Sequence, residues 1–140
     1  MNHAGTITLT TDRLILRRFT VDDTEAVYNN WTSDSDEPIG AIGLFVVNEG
    51  DMRGDFAYSI SRRYWGMGIA SEAFKEVLKF AFEIVGFNRI ESYHSINNLA
   101  SGKVMQKAGM KLEGLARQKY KSNVGFEDSY MYSILKNEFK

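Results

Sequence analysis

Apolar and polar positions alternate over residues 7–19, with Leu14, Leu16 and Arg18 on one face and Ile15, Arg17 and Phe19 on the other. That period of two predicts a strand. Thr20 followed three residues later by Asp23 fits a capping box with a carboxylate in the usual Glu or Gln place. Asp22 and Asp23 suit a first helical turn, and a helix is expected as far as Trp31. Glu37-Pro38-Ile39-Gly40 then leads into a second strand over 39–47, so uniformly apolar that a central place in a sheet is expected. Asn48-Glu49-Gly50-Asp51 reads as a turn. Residues 55–61 alternate again, with Phe56, Tyr58 and Ile60 set against Ala57, Ser59 and Ser61.

From residue 70 the period changes. Ala73, Phe74, Val77, Leu78, Ala81, Ile84 and Val85 recur at helical spacing, and Gly86 is placed to end the helix, with Phe87 packing back onto it. A short strand over 89–94 follows, so the helix is a crossover between parallel strands, a connection that is nearly always right-handed. Asn97 or Asn98 caps a second helix ending at Gly109. Strands over 111–120 and 126–135 form an antiparallel hairpin around Ser122-Asn123-Val124-Gly125. The expected fold is α/β, a single domain over 1–140. It has a mixed central sheet, one parallel β-α-β crossover and an antiparallel C-terminal hairpin.

Composition removes several classes of function. At 140 residues, 44% of them hydrophobic, the chain can bury one core. A formal net charge of −1 gives no electrostatic reason to expect a nucleic acid or membrane partner. Without cysteine there is no disulfide, thiolate metal site or cysteine nucleophile, and His3 and His94 cannot make a histidine-rich metal site alone. The start of the chain is polar and no apolar run approaches ~18 residues, so neither a signal peptide nor a membrane span is expected. The default is a cytoplasmic protein, and a homodimer is allowed.

The chemistry concentrates in Arg62-Arg63-Tyr64-Trp65-Gly66-Met67-Gly68-Ile69-Ala70-Ser71-Glu72-Ala73. A strand, a glycine-bearing turn and a helix start together make an anion site, because turn amides and the helix dipole converge there. Glycine serves either positive φ or close approach of the backbone to a phosphate. The bland alternative is a tight turn that binds nothing. The spelling is not the dinucleotide fingerprint, since Ser71 stands where a third glycine belongs, and no Gly-Lys-Ser/Thr makes it a Walker loop.

Arg63, two residues, Gly66, one residue and Gly68 resemble the acetyl-CoA pyrophosphate loop of the GNAT acetyltransferases. The wording from Tyr64 to Ala73 is most similar to the branch that acetylates the N-termini of ribosomal proteins, as is Thr11-Asp12-Arg13-Leu14-Ile15-Leu16-Arg17. A second phrase, Asn98-Leu99-Ala100-Ser101-Gly102-Lys103-Val104-Met105-Gln106-Lys107-Ala108-Gly109-Met110 with Leu112-Glu113-Gly114, resembles the same superfamily in order and spacing.

The resemblance implies acetyl-CoA as co-substrate, its pantetheine arm lying between strands 55–61 and 89–94 like an added strand. Arg63, Trp65, Gly66, Met67, Gly68, Ile69 and Ala70 would receive the pyrophosphate, with Arg62 an alternative phosphate partner or a solvated charge. A backbone N–H near Tyr58 to Ile60 would polarise the thioester carbonyl. Asn98 would hold the pantetheine arm and Ser101 would approach the sulfur. Transfer would be direct, to a primary amine, with a protein N-terminus the favoured acceptor. An α-amino group, with a pKa near ~7.7–8.0, needs only a weak base. Met105 occupies the place of the family's usual tyrosine, so Ser101 is the expected proton donor to the thiolate, against the plainer reading of a first-turn helix residue.

No base carries over, because Lys119 stands about where the ribosomal-protein branch has a glutamate. Glu113 and Asp128 are candidates by position and structural carboxylates by default. Tyr130, Tyr132 and Trp31 are expected in the core or cleft wall, and His94 as a satisfied core histidine. Other classes remain: a non-catalytic acyl-CoA-binding module, a small-molecule amine (polyamine or antibiotic) acetyltransferase, and a phosphate-ligand domain alike only at the turn. The helix-end wording at Asp36 also abuts hairpin wording at Glu37. A segment of about thirty to forty residues is expected to be missing there, judged from ~1.5 Å rise per helical and ~3.3 Å per strand residue. It is either a mobile flap left out of the numbered chain, which we favour, or a deletion from the gene.

Overall fold

A computed structural model of the chain describes residues 7–17 and 38–140. The expected helix ending near Trp31 and the junction between 36 and 37 lie outside the described residues. Where one strand was expected over 7–19, two short ones form: β1 (Leu9–Thr10) and β2 (Ile15–Leu16), paired antiparallel. The turn between them is closed from within. Thr11 N–H donates to the Leu14 carbonyl at 2.9 Å, and Leu14 N–H returns to Thr11 Oγ1 at 3.1 Å. A threonine hydroxyl competing for backbone groups is what breaks the alternation into a turn.

The main sheet contains β3 (Gly40–Asn48), β4 (Arg53–Ile60), β5 (Arg89–Ser95), β6 (Lys111–Ser122) and β7 (Gly125–Leu135), in the order β3-β4-β5-β7-β6. Only β4 and β5 are parallel; the other neighbours are antiparallel. The expected mixed α/β architecture is therefore present. The central place expected for 39–47 is not seen among the described residues. Among the described residues β3 is an edge strand with one neighbour, and Phe45, Val46 and Val47 stay about half exposed. An apolar run reports burial of the strand's faces and not its number of neighbours, and among the described residues only β4 lies beside β3.

Helix α1 (Ile69–Phe80) makes the crossover between the parallel strands. Its last turn widens into a π-turn over Ala81–Val85, and Gly86 closes it at φ +97°, donating to the Ala81 carbonyl at 2.9 Å. Phe87 is fully buried against it, as the sequence predicted. Helix α2 (Leu99–Lys107) begins at Asn98, whose side chain accepts the Ser101 N–H at 3.4 Å. The core lies between the sheet and these two helices, built on Phe56, Phe74, Leu78, Phe82, Ile90 and Ile134. The Phe56 and Phe74 rings meet with centroids 3.9 Å apart. That contact fixes the start of α1 over the middle of β4, and so places the glycine turn at the end of β4.

Candidate functional site

The parallel ladder between β4 and β5 is only three residue pairs long: Arg53 with Arg89, Gly54 with Ile90, and Asp55 with Glu91. Beyond it the two strands part, and Ser92 Oγ donates to the Phe56 carbonyl at 2.8 Å at the point of divergence. Successive backbone groups of a strand face opposite neighbours. Ser61 N–H bonds the Ile39 carbonyl on the β3 side, and the Phe56 carbonyl is taken from the β5 side. By that parity the N–H groups of Tyr58 and Ile60 face the opening. A gap lined by unpaired strand amides accepts an extended ligand as it would another strand.

At the open end of the gap lies the glycine turn. Gly66 and Gly68 both have positive φ, +76° and +75°. A Cβ on Gly66 would meet nothing within 4 Å, and one on Gly68 only an Arg13 nitrogen at 3.5 Å. The backbone conformation rather than crowding requires glycine in this state. Gly68 is the N-cap of α1 and supplies no side-chain cap, so the first N–H groups of the helix have no side-chain partner there and point outward. Trp65 donates its indole N–H to the Ile60 carbonyl at 3.0 Å, and the Arg62 guanidinium lies 5.3 Å from its ring centroid. Trp65 and Met67 are more than half exposed. Arg62 and Arg63 occupy the single helical turn Arg62–Tyr64 that feeds the loop.

The sequence reading missed the brace on this turn. Arg13 donates to Glu72 Oε1 at 2.9 Å through Nε and to the Met67 carbonyl at 2.9 Å through Nη1. Thr11 Oγ1 donates to the same Glu72 carboxylate. These hydrogen bonds, Thr11's first and then Arg13's, hold the Glu72 pKa below its ordinary value. The signal was present in Thr11-Asp12-Arg13, which was read as part of one strand and not as an anchor reaching the loop.

Across the gap, Ser101 in the first turn of α2 lies within reach of the Tyr58 hydroxyl and acts on its titration. Burial raises the Tyr58 pKa and Ser101 partly opposes it, so Tyr58 stays protonated throughout the neutral range. Its ring packs edge-on to Phe74, centroids 6.1 Å apart. Tyr58, Ile60, Asn98 and Ser101 thus border one opening, with the turn from Arg63 to Ala70 at its mouth. Met105 is buried in the core, away from any hydroxyl role.

Both positional candidates for a base have structural partners. Glu113 pairs with Arg89, and its pKa is lowered, first by a Ser133 hydrogen bond and then by Arg89. Asp128 accepts the Gln118 N–H at 2.7 Å and so closes a bulge in β6. His94 is buried as expected, but only half satisfied. Nδ1 meets the Ser95 carbonyl at 2.7 Å, while Nε2 has no hydrogen-bond partner among the described residues and abuts Gly102. Tyr132 is buried, its hydroxyl accepting from Gln106 at 3.3 Å, and Tyr130 packs against the core. Trp31 lies outside the described residues. Among the described residues no group of His, Cys, Asp and Glu could hold a metal, and no helix is long and apolar enough to cross a membrane.

A glycine turn that starts a helix, at the mouth of a split parallel strand pair, marks the class of α/β fold. The family it belongs to follows from comparison: residues 33–111 match the acetyltransferase (GNAT) domain, and the chain is a member of that family. It is 33% identical to the uncharacterized N-acetyltransferase p20 of Bacillus licheniformis, over 76% of this chain and 60% of that protein. It is 27% identical to the uncharacterized N-acetyltransferase YoaA of Bacillus subtilis, over 91% of this chain and 96% of YoaA. Among solved structures it is similar to the ribosomal-protein-S5-alanine acetyltransferase of Vibrio fischeri. That match has a TM-score of 0.70 at 25% identity, over 74% of this chain and 57% of that one. The chain thus spans about 60% of the length of p20, the first of these relatives. The YoaA alignment runs over 170 positions and takes in 91% of this chain, about 127 of its 140 residues, so about 43 positions of YoaA have no counterpart here.

Proposed function

We propose that the protein is an acetyl-CoA-dependent N-acetyltransferase that moves the acetyl group directly onto a primary amine, a protein N-terminal α-amino group being the favoured acceptor. The observation that carries the reading is the strand divergence after Asp55 and Glu91, with the glycine turn at its mouth and Ser101 at its side. The turn amides from Gly66 to Ala70 receive the pyrophosphate, assisted by the dipole of α1. Pantetheine occupies the gap, bonded to the strand edges and to Asn98. The N–H groups of Tyr58 and Ile60 face that gap and can stabilise the oxyanion as the acceptor nitrogen attacks.

When the C–N bond forms and the C–S bond breaks, CoA leaves as a thiolate. Ser101 supplies it with a proton, with the protonated Tyr58 hydroxyl beside it. The acceptor preference rests on the ribosomal-protein wording of Tyr64 to Ala73 and on the likeness to the ribosomal-protein-S5-alanine enzyme. The extra positions of YoaA support, without locating it, the absence of a segment that would lie beside the acceptor. A cytoplasmic site of action and a homodimer remain proposals of the same reading.

The experiment is thiol release from acetyl-CoA against a panel of amines. Peptides with free alanine or serine N-termini should react, while N-terminally blocked peptides and free lysine side chains should react far less. Preferential turnover of a polyamine or an aminoglycoside would overturn the acceptor assignment.

A further inference from the structure

The edge of β4 that faces the gap is capped by side chains at both ends. Within one strand residue the N–H and the carbonyl point to the same side, and successive residues alternate. Ser61 N–H bonds the Ile39 carbonyl on the β3 side, so Phe56, Tyr58 and Ile60 present their backbone groups to the gap. The Phe56 carbonyl accepts from the Ser92 hydroxyl at 2.8 Å, and the Phe56 N–H donates to Asp55 Oδ1 at 2.7 Å. The Ile60 carbonyl accepts from the Trp65 indole N–H at 3.0 Å. Among the described residues this leaves, beyond the β4–β5 ladder, the N–H and carbonyl of Tyr58 and the N–H of Ile60.

The two caps differ in place. Ser92 is buried where the strands converge, with the last ladder pair directly behind it. Trp65 is 57% exposed and stands at the mouth, just after the single helical turn Arg62–Tyr64. The Arg62 guanidinium lies 5.3 Å from the centroid of its ring. An arm that runs from the glycine turn to Ser101 therefore passes the indole. The arm of CoA carries two amide N–H groups in series, and each one that leaves water without an acceptor weakens binding. On this edge β4 offers one free carbonyl, that of Tyr58. The second amide meets the Ile60 carbonyl, where it has to share the bond or displace the indole.

We infer that Trp65 is a specificity-determining residue for the acyl donor: its indole N–H competes with the second amide of the donor's arm for the Ile60 carbonyl. The inference rests on the acetyl-CoA reading above. In consequence β4 reads the amide next to the thioester, through Tyr58, and discounts the amide beyond it. An indole N–H only donates, so the ring cannot offer the displaced amide N–H an acceptor in return. In the unliganded protein the same bond keeps the Ile60 carbonyl satisfied at the open edge of the strand. This role of the Trp65 side chain is separate from the phosphates, which meet the backbone of the turn.

Two phosphate-free thioesters test it: S-acetyl-N-acetylcysteamine, with one amide N–H, and S-acetylpantetheine, with two. Neither engages the glycine turn, so a disturbance there cannot mimic the effect. Trp65→Phe keeps an aromatic ring beside Arg62 and removes the indole N–H. Thiol release on the full chain, with the best amine of the panel at saturation, gives kcat/KM for each thioester. Where their turnover is slow, Ki values against acetyl-CoA give the same ratio. The ratio of S-acetylpantetheine to S-acetyl-N-acetylcysteamine should rise about two- to tenfold in Trp65→Phe, the worth of one neutral hydrogen bond. The gain should come from a lower KM for S-acetylpantetheine, with kcat unchanged for both. A ratio that stays at the wild-type value or falls, including a gain or loss shared equally by the two thioesters, overturns the role of Trp65. Wild-type protein that binds CoA but releases no thiol from acetyl-CoA with any amine overturns the transferase reading itself.

Discussion

Gly68→Val separates the anion turn from the helix it begins. At φ +75° an L-residue is strained by roughly 1–2 kcal/mol, and a β-branched one by more. The nearest atom to the new Cβ is an Arg13 nitrogen at 3.5 Å, an ordinary contact, so no clash adds to that cost. For a domain of this size about 2 kcal/mol lowers the Tm by roughly 4–12 °C, leaving the protein folded at 25 °C. The isopropyl group would stand on the open side of the turn, where a phosphate oxygen must approach the amides. Losing one charge-assisted amide bond costs about 1.5–3 kcal/mol, which is a tenfold to hundredfold weaker CoA Kd. Gly86→Val is the matched control: it too has positive φ, +97°, and open space around it, at the far end of the same helical segment. Titration calorimetry beside thermal melts reads both. The control should lose stability and keep its CoA affinity. Equal affinity in Gly68→Val and wild type, or equal loss in both variants, would refute the placement of the phosphates.

Ser101→Ala should lower kcat by tenfold or more with little change in the acetyl-CoA KM, the pattern of an interaction made mainly in the transition state; full turnover would return Ser101 to a helix-turn role. Arg13→Ala should weaken CoA binding severalfold by freeing the Met67 carbonyl, with only a small change in Tm because the Arg13 side chain is about half exposed. An unchanged Kd would make the brace purely structural. Phe74→Ala empties a site that is 0% exposed and packed against the Phe56 ring, and should destabilise the fold by about 3–5 kcal/mol in urea unfolding.

Much of the fold was legible because period and punctuation agreed. Helical spacing from Ala73 to Val85 with a glycine stop, an Asn-capped second helix and a four-residue hairpin turn each read locally and each appeared. Failures came where the deciding contact was distant in sequence. Thr11 and Arg13 break the first strand in order to reach Glu72, a contact that no window of neighbouring residues shows. The apolar run before Asn48 cannot tell one strand neighbour from two. The glycine turn could be read as an anion site because φ and helix start are local properties. That Tyr58 comes near Ser101 depends on a strand and a helix distant in sequence coming together.

The central claim is that the gap between β4 and β5, with its glycine turn, is an acyl-CoA site. A crystal structure of the protein with CoA tests it most directly. The account predicts pyrophosphate oxygens within hydrogen-bond distance of the amides from Gly66 to Ala70, pantetheine between the diverging strands, and the sulfur beside Ser101. CoA bound elsewhere, or a β4–β5 ladder closed past Asp55 and Glu91 with the ligand outside it, would contradict the account.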